Sequence, residues 1–120
     1  MEKILVKQRD IVLLPFPFSD QSGLKVRPAI IISNNRFNAT SEDVIVCAIT
    51  SNIEKSKYTV LIDQKNLEEG YLYNKSAIKA ENILKVKKSL IIKTIATVNK
   101  DILLRVVDLV KEILYPALRD

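Results

Sequence analysis

The chain has 120 residues, 19 Lys+Arg against 14 Asp+Glu, a formal net charge of +5, one cysteine and no histidine. That length fits one domain, residues 1–120, and 48% apolar with 28% charged residues allows a core and excludes compositional disorder. The missing histidine excludes any Ser-His-Asp, Cys-His, HExxH or two-histidine nuclease site within the chain, and a lone Cys47 can form neither an intrachain disulfide nor a CxxC metal knuckle.

The start, Met1 to Lys7, has no long apolar stretch and no small-residue cleavage site, so no signal peptide is expected. Asp10–Leu14 reads as a short strand, ended by Pro15 and Pro17, which cannot donate to a ladder. The apolar run from Ile11 to Phe18 is far shorter than the roughly 20 residues a membrane span needs. Ser19 to Gly23 is a polar turn cluster. Ala29–Ser33 and Val44–Thr50 read as buried strands, joined by a polar connection over Asn34–Asp43. Tyr58–Ile62, Ser76–Ala80 and Leu90–Val98 are further strand candidates. Asn99 then caps a helix to about Tyr115, with Ile102, Leu103, Val106, Val107, Val110, Ile113 and Leu114 on one face and Pro116 as its stop. Five or six short strands and one terminal helix point to a mainly β (α+β) protein with a small, curved or barrel-like sheet. A soluble, cytoplasmic protein without a membrane partner is expected.

The charge is unevenly placed. Between Lys75 and Lys93 there are six lysines and a single acid, Glu81, a local net charge equal to that of the whole chain. Such a stretch serves either as a solvated edge that discourages sheet-to-sheet pairing or as a phosphate-facing patch. Aromatic residues for base stacking are few; Lys57-Tyr58 and Tyr71-Leu72-Tyr73 lie in polar or mixed surroundings, whereas Phe16 and Phe18 read as core. Cys47, inside an apolar strand, reads as an inert core thiol. The scatter of Asp10, Asp20, Asp43 and Asp63 matches no metal-ligand spacing, and no metal or other cofactor is expected.

Two local patterns carry more information. Asp10-Ile11-Val12-Leu13-Leu14-Pro15-Phe16-Pro17-Phe18-Ser19-Asp20 leads through a glycine-containing loop into Lys25-Val26-Arg27-Pro28-Ala29-Ile30-Ile31-Ile32-Ser33, and Val46-Cys47-Ala48-Ile49-Thr50-Ser51 follows. Together they resemble the MazF/PemK (Kid) family of toxins from type II toxin–antitoxin systems, whose members begin with a "GDIVLVPFPF[ST]D" strand, then an "RPALV[IL]S" strand, then one ending in "ITS". The resemblance covers essentially the whole chain. It implies a small SH3-like barrel with a C-terminal amphipathic helix, acting as a homodimer. It also implies a metal-independent endoribonuclease that cuts single-stranded RNA, leaves 2′,3′-cyclic phosphate and 5′-hydroxyl ends, and is neutralised by a cognate antitoxin protein. The family's RP arginine and ITS threonine fall on Arg27 and Thr50, with Ser51 beside them; a basic-x-acidic pair found on a later strand in some members falls on Lys79 and Glu81, followed by Asn82. The chain departs from the family pattern at Arg9, where a glycine is usual, at Leu84, where a basic residue often stands, and in lacking a loop histidine.

The chemistry is feasible with these side chains. Cleavage through the 2′-oxygen needs a base for the 2′-hydroxyl, stabilisation of a crowded, more negative phosphate, and a proton for the leaving 5′-oxygen. A guanidinium at Arg27 can hold two phosphate oxygens and stays charged at any working pH, so its task is the phosphate or the leaving oxygen rather than the base. Glu81 is the base candidate, although Lys79 nearby would lower its pKa. Thr50 and Ser51 can donate to phosphate oxygens, and Ser19, Lys25, Lys79 and Asn82 are expected to hold the substrate. Each has a purely structural alternative: strand entry for Arg27, turn formation for Thr50 and Ser51, and an exposed ion pair for Lys79 and Glu81. Two alternatives to the ribonuclease remain open, a CcdB-like gyrase inhibitor on the same fold and an RNA binder that does not cut. The excess of positive charge would suit a disordered acidic antitoxin tail.

Overall fold

A computed structural model describes residues 5–17, 24–54 and 56–117. In chain order it contains β1 (Asp10–Pro17), β2 (Leu24–Ile31), α1 (Asn35–Thr40), β3 (Asp43–Thr50), β4 (Thr59–Ile62), β5 (Leu67–Gly70), β6 (Ser76–Lys87), β7 (Lys93–Val98) and α2 (Lys100–Leu114). The seven strands form one antiparallel sheet in the order β4-β6-β3-β2-β1-β7-β5, curled into a half-barrel with the terminal helix against it.

The central strands are apolar on both faces, and each face has its own core. Ile11, Ile30 and Cys47 lie in register across β1, β2 and β3, and join Ile49, Val60, Ile62, Ile78, Ala96 and Val98 in one cluster closed by Ile102 and Val106 of α2. On the opposite face Val12, Leu14, Ala29, Ile31, Val44 and Val46 form a second cluster, on which Phe16, Leu84 and Val86 pack. Continuous apolar runs, rather than strict alternation, are the expected signature of strands buried on both sides. Helix α2 follows its sequence pattern except toward its end, where Leu114 is exposed and Leu109, outside the expected face, packs on the core. The Asn99 side chain accepts from the Ile102 amide at 3.0 Å, and Ile102, Leu103 and Val106 are buried. Among the described residues no helix is long and apolar enough to cross a membrane.

Several boundaries differ from the sequence expectation. Strand β1 continues through both prolines, because the Ile92 amide donates to the Leu13 carbonyl and so fixes the odd-numbered backbone groups of β1 as pointing away from β2. Pro15 and Pro17 share that parity, so their missing N–H groups remove no bond to β2. The stretch read as a polar connection holds α1, capped by the Asn34 side chain on the Phe37 amide at 2.9 Å. Its hold is tertiary: buried Asn38 donates to the Ser33 carbonyl, and Lys88 Nζ donates to the Asn38 carbonyl. Strand β5, Leu-Glu-Glu-Gly, has little intrinsic strand preference and is formed by pairing with β7. Strand β6 runs on to Lys87, with Glu81, Ile83, Lys85 and Lys87 exposed in alternation with half-buried Asn82, Leu84 and Val86. Phe18 and Ser19 lie outside the described residues.

Candidate functional site

The site begins with a missing donor. Strand β2 pairs with β3 only from Ala29 to Ile31, opposite Val46 to Ala48, and the ladder stops at Pro28. Pro28 lies opposite Leu13, whose carbonyl points away from β2, so the Pro28 backbone faces β3 and has no N–H to offer it. Ile49 and Thr50 pair with Ile78 and Ala77 of β6 instead. A wedge therefore opens between β2 and the end of β3, with Arg27 next to the proline on one side and Thr50 on the other.

A second irregularity shapes the same place. On β6, Ile78 pairs with Ile49 and Ile83 with Cys47, so the four residues from 79 to 82 stand opposite Ala48 alone. This bulge is pinned by the Ala80 amide donating to the Tyr58 carbonyl at 2.9 Å, and Ala80 is buried. It turns Lys79 and Asn82 toward the wedge. Arg27, Thr50, Lys79 and Asn82 line one cavity of about 220 Å³, floored by Phe16, Ala48 and Ile49.

That cavity lies between two others. Arg27 and Ile49 also line a larger hollow of about 670 Å³ with Lys25, Ser51, Tyr71, Tyr73, Asn74, Lys93 and Thr94. Thr50 and Lys79 also line a third, of about 180 Å³, with Asn52, Glu54, Ser56 and Thr59. The three form a groove across the end of β3, with cationic side chains from β2, β6 and β7 along it. Thr50 is oriented by its own turn: its Oγ1 accepts from the Asn52 amide at 3.1 Å, which leaves the hydroxyl hydrogen to donate.

Among the expected site residues, the fold brings Arg27, Thr50, Lys79 and Asn82 to one cavity and Lys25 and Ser51 to its neighbour. Glu81 is exposed on the bulge and lines none of the three hollows. It makes no ion pair with Lys79; among the described residues the pairs are Arg9–Glu68, Lys85–Asp43 and Arg105–Asp101. The groove carboxylate beside Thr50 and Lys79 is Glu54, which sequence reasoning passed over, as it did Lys93 and Thr94. The only signal for Glu54 was its place just after the ITS strand. The lysine-rich stretch divides: Lys79 and Lys93 face the groove, Lys88 holds α1, and Lys85 and Lys87 are exposed on the outer face of β6. Asp10 has structural work, accepting from the Lys7 amide and from Thr97 Oγ1 at 2.9 Å each. Among the described residues no three His, Cys, Asp or Glu side chains converge as a metal site would need. Cys47 is fully buried and its thiol is pushed up to about 11 by desolvation, so it is a packing residue and not a nucleophile.

Residues 7–114 match the family model described as PemK-like, MazF-like toxin of type II toxin–antitoxin system. The chain belongs to that family. Its fold is that of solved relatives at low identity. A MazE–MazF complex from Deinococcus radiodurans superimposes with a TM-score of 0.76 at 18% identity, covering 97% of this chain and 100% of that one. An endoribonuclease in complex with its cognate antitoxin from a Mycobacterial species gives 0.75 at 16%, covering 94% and 99%. Mycobacterium tuberculosis toxin MazF-mt6 gives 0.70 at 17%, covering 87% and 94%. No curated protein matches the sequence significantly. In this MazF-like chain, Arg9 replaces the usual glycine at a left-handed φ of 83° and is tied to Glu68 at 2.8 Å and to the Val98 carbonyl at 3.0 Å.

Proposed function

We propose that this MazF-like toxin is an endoribonuclease that cuts single-stranded RNA through the substrate's own 2′-hydroxyl, without a metal ion. The observation that carries the reading is the convergence of Arg27, Thr50, Lys79 and Asn82 on one cavity. These are the side chains a five-coordinate phosphate needs: two cations for its extra negative charge, and a hydroxyl and an amide to hold its oxygens. In the step itself the 2′-oxygen attacks phosphorus as its proton passes to a base. The bond from phosphorus to the 5′-oxygen breaks, and that oxygen takes up a proton. The products are a 2′,3′-cyclic phosphate and a 5′-hydroxyl. Arg27 stabilises the phosphate and donates to the leaving oxygen, and a guanidinium, which has donors and no acceptor, is not the base. Lys25 and Ser51 hold the adjoining strand of RNA, and Ser19 belongs to the same substrate-binding set.

The base is a carboxylate. Glu81 is one candidate, on the bulge beside Asn82, and Glu54 is the other, in the hollow behind Thr50. Glu81→Gln and Glu54→Gln decide between them. The one that is the base loses kcat and the acidic limb of the pH profile, and the other keeps both. The toxin acts in the cytoplasm as a homodimer, and a cognate antitoxin with an acidic segment neutralises it by covering the cationic groove.

The decisive experiment is incubation of the folded protein with a long, mixed-sequence single-stranded RNA in EDTA, followed by end mapping. Cleavage with cyclic-phosphate ends is expected, reduced at least about 100-fold by Arg27→Ala or Thr50→Ala, as when a single transition-state donor is removed. A matching DNA stays intact. If folded protein leaves the RNA whole while damaging DNA in a gyrase-dependent manner, the ribonuclease reading is wrong.

A further inference from the structure

We propose that Tyr71 and Tyr73 form a stacking platform for an unpaired RNA base next to the cleaved phosphate, a subsite that rests on the ribonuclease reading above. Both rings stand in the open, 70% and 92% exposed, yet they are ordered against each other with centroids 6.1 Å apart and planes inclined by 25°. That separation lies within the range of attractive aromatic pairs. The segment lies between β5 and β6 and bends at Tyr73 and Asn74, and Tyr71 and Tyr73 line the same hollow. Leu72, half-buried against the α2-side core, anchors the segment between the two rings. The backbone leading into it is held twice: the Tyr71 amide donates to the Ile95 carbonyl at 3.2 Å and the Leu72 amide to Gln64 Oε1 at 3.0 Å.

The surroundings select the ligand. The rings line the 670 Å³ hollow whose other wall carries Lys25, Arg27 and Lys93, and Arg27 also lines the cavity with Thr50. Such a volume is within the roughly 300–1,000 Å³ of small-molecule sites, enough for a nucleotide unit. Aromatic faces beside a row of cations are the two elements of single-strand binding: stacking for the base and charge for the phosphates on either side of it. One RNA strand can therefore place a base on the tyrosines and the adjoining phosphate at Arg27. The tyrosines read little sequence, since every base has a π-face, and they set how firmly the strand is held on one side of the cut.

The test uses the full-length protein and a short single-stranded RNA, 2′-O-methylated to block cleavage, in which one 2-aminopurine is moved along the sequence. Quenching at one position is expected with the native protein. In Tyr71→Leu/Tyr73→Leu it should vanish, and affinity should fall about 5- to 150-fold, the range for one stacked base. Tyr71→Phe/Tyr73→Phe should keep both, because the ring and not the hydroxyl is used. Unchanged quenching and affinity in the leucine variant would overturn the platform, as would a phenylalanine variant as weak as the leucine one. So would a leucine variant that binds RNA normally and loses only its antitoxin, since the tyrosines would then belong to a protein interface. Cleavage of unmodified RNA separates the two ideas. Native protein that quenches without cutting refutes the ribonuclease and leaves the platform, whereas a leucine variant equal to native in binding and cutting refutes the platform alone.

Discussion

Gly70 ties the sheet to the tyrosine segment, and replacing it is the sharpest test of this part of the fold. It pairs with Ala96 at the end of β5 with a φ of 87°. A Cβ there would lie 2.1 Å from the Ile95 carbonyl oxygen and 2.5 Å from the Ala96 Cα, and both are backbone atoms that cannot swing aside. Gly70→Ala must therefore push β5 off β7. The left-handed φ alone costs an L-residue about 1–2 kcal/mol. Losing the bond from the Tyr71 amide to the Ile95 carbonyl adds about 0.5–1.5 kcal/mol. The exposed bonds that Gln64 makes to the Gly70 carbonyl and the Leu72 amide contribute less. A total near 3 kcal/mol, with an unfolding entropy of about 2.1 cal/mol/K per residue, lowers Tm by about 12 °C. Thermal unfolding followed by circular dichroism reads this directly, with Glu69→Ala as the exposed control, expected within about 0.5 kcal/mol of native. The same variant should bind single-stranded RNA more weakly, because the tyrosines lose their footing. A Gly70→Ala protein melting within about 3 °C of native would refute the close approach of β5 and β7.

At Arg9 the left-handed φ predicts an order of variants. Arg9→Gly should be about 1 kcal/mol more stable than Arg9→Ala in urea unfolding, since both lose the Glu68 and Val98 contacts and only alanine keeps the strain; equal midpoints would refute this. For Cys47 the raised thiol pKa gives a signed pH effect. The unfolded thiol ionises near 9 and the folded one near 11, so the folded state holds the proton longer. The thiol's contribution is then complete below about 9 and is lost as pH rises toward 11, at up to about 1.4 kcal/mol per pH unit. Cys47→Ala should flatten that part of the urea stability curve, and an unchanged slope would count against burial of the thiol. Pro28→Ala restores an amide facing β3, so the ladder should extend toward Ile49. Protection of the new residue-28 amide against hydrogen exchange, relative to an unstructured amide, and weaker RNA cleavage, with stability within about 1 kcal/mol of native, are expected; exchange at the unstructured rate would refute the origin assigned to the wedge.

Much of the fold was legible because packing and sequence pattern agree. The α2 stripe, its Asn99 cap and its end before Pro116 follow from helical spacing and capping chemistry. The unreadable parts are those where tertiary contacts override local preference. Two prolines ordinarily end a strand, but here they occupy positions whose backbone points away from the paired neighbour. Helix α1 has no apolar periodicity and is held from outside through Asn38, and β5 exists because β7 offers it an edge. Strand β6 extends past the expected Ser76–Ala80 through a stretch, up to Lys87, that mixes lysines with apolar residues. That mixture is the alternation of an exposed face with one packed on the second core.

The site was legible only as separate residues. Arg27 and Thr50 were recognisable from the motifs around them, but spacing along the chain could not say that Lys79 and Asn82 join them while Glu81, next to Asn82, does not. The bulge decides that, and a bulge is a property of two strands together. The same holds for Pro28. Within β2 it looks like a residue that merely stiffens a strand. Set against β3 it is the point where pairing must end, and a groove lined by Arg27 opens where the next hydrogen bond would have been. The arginine and the proline of the RP pair thus have one physical rationale: the proline withholds the bond that would close the sheet, and the arginine occupies the opening.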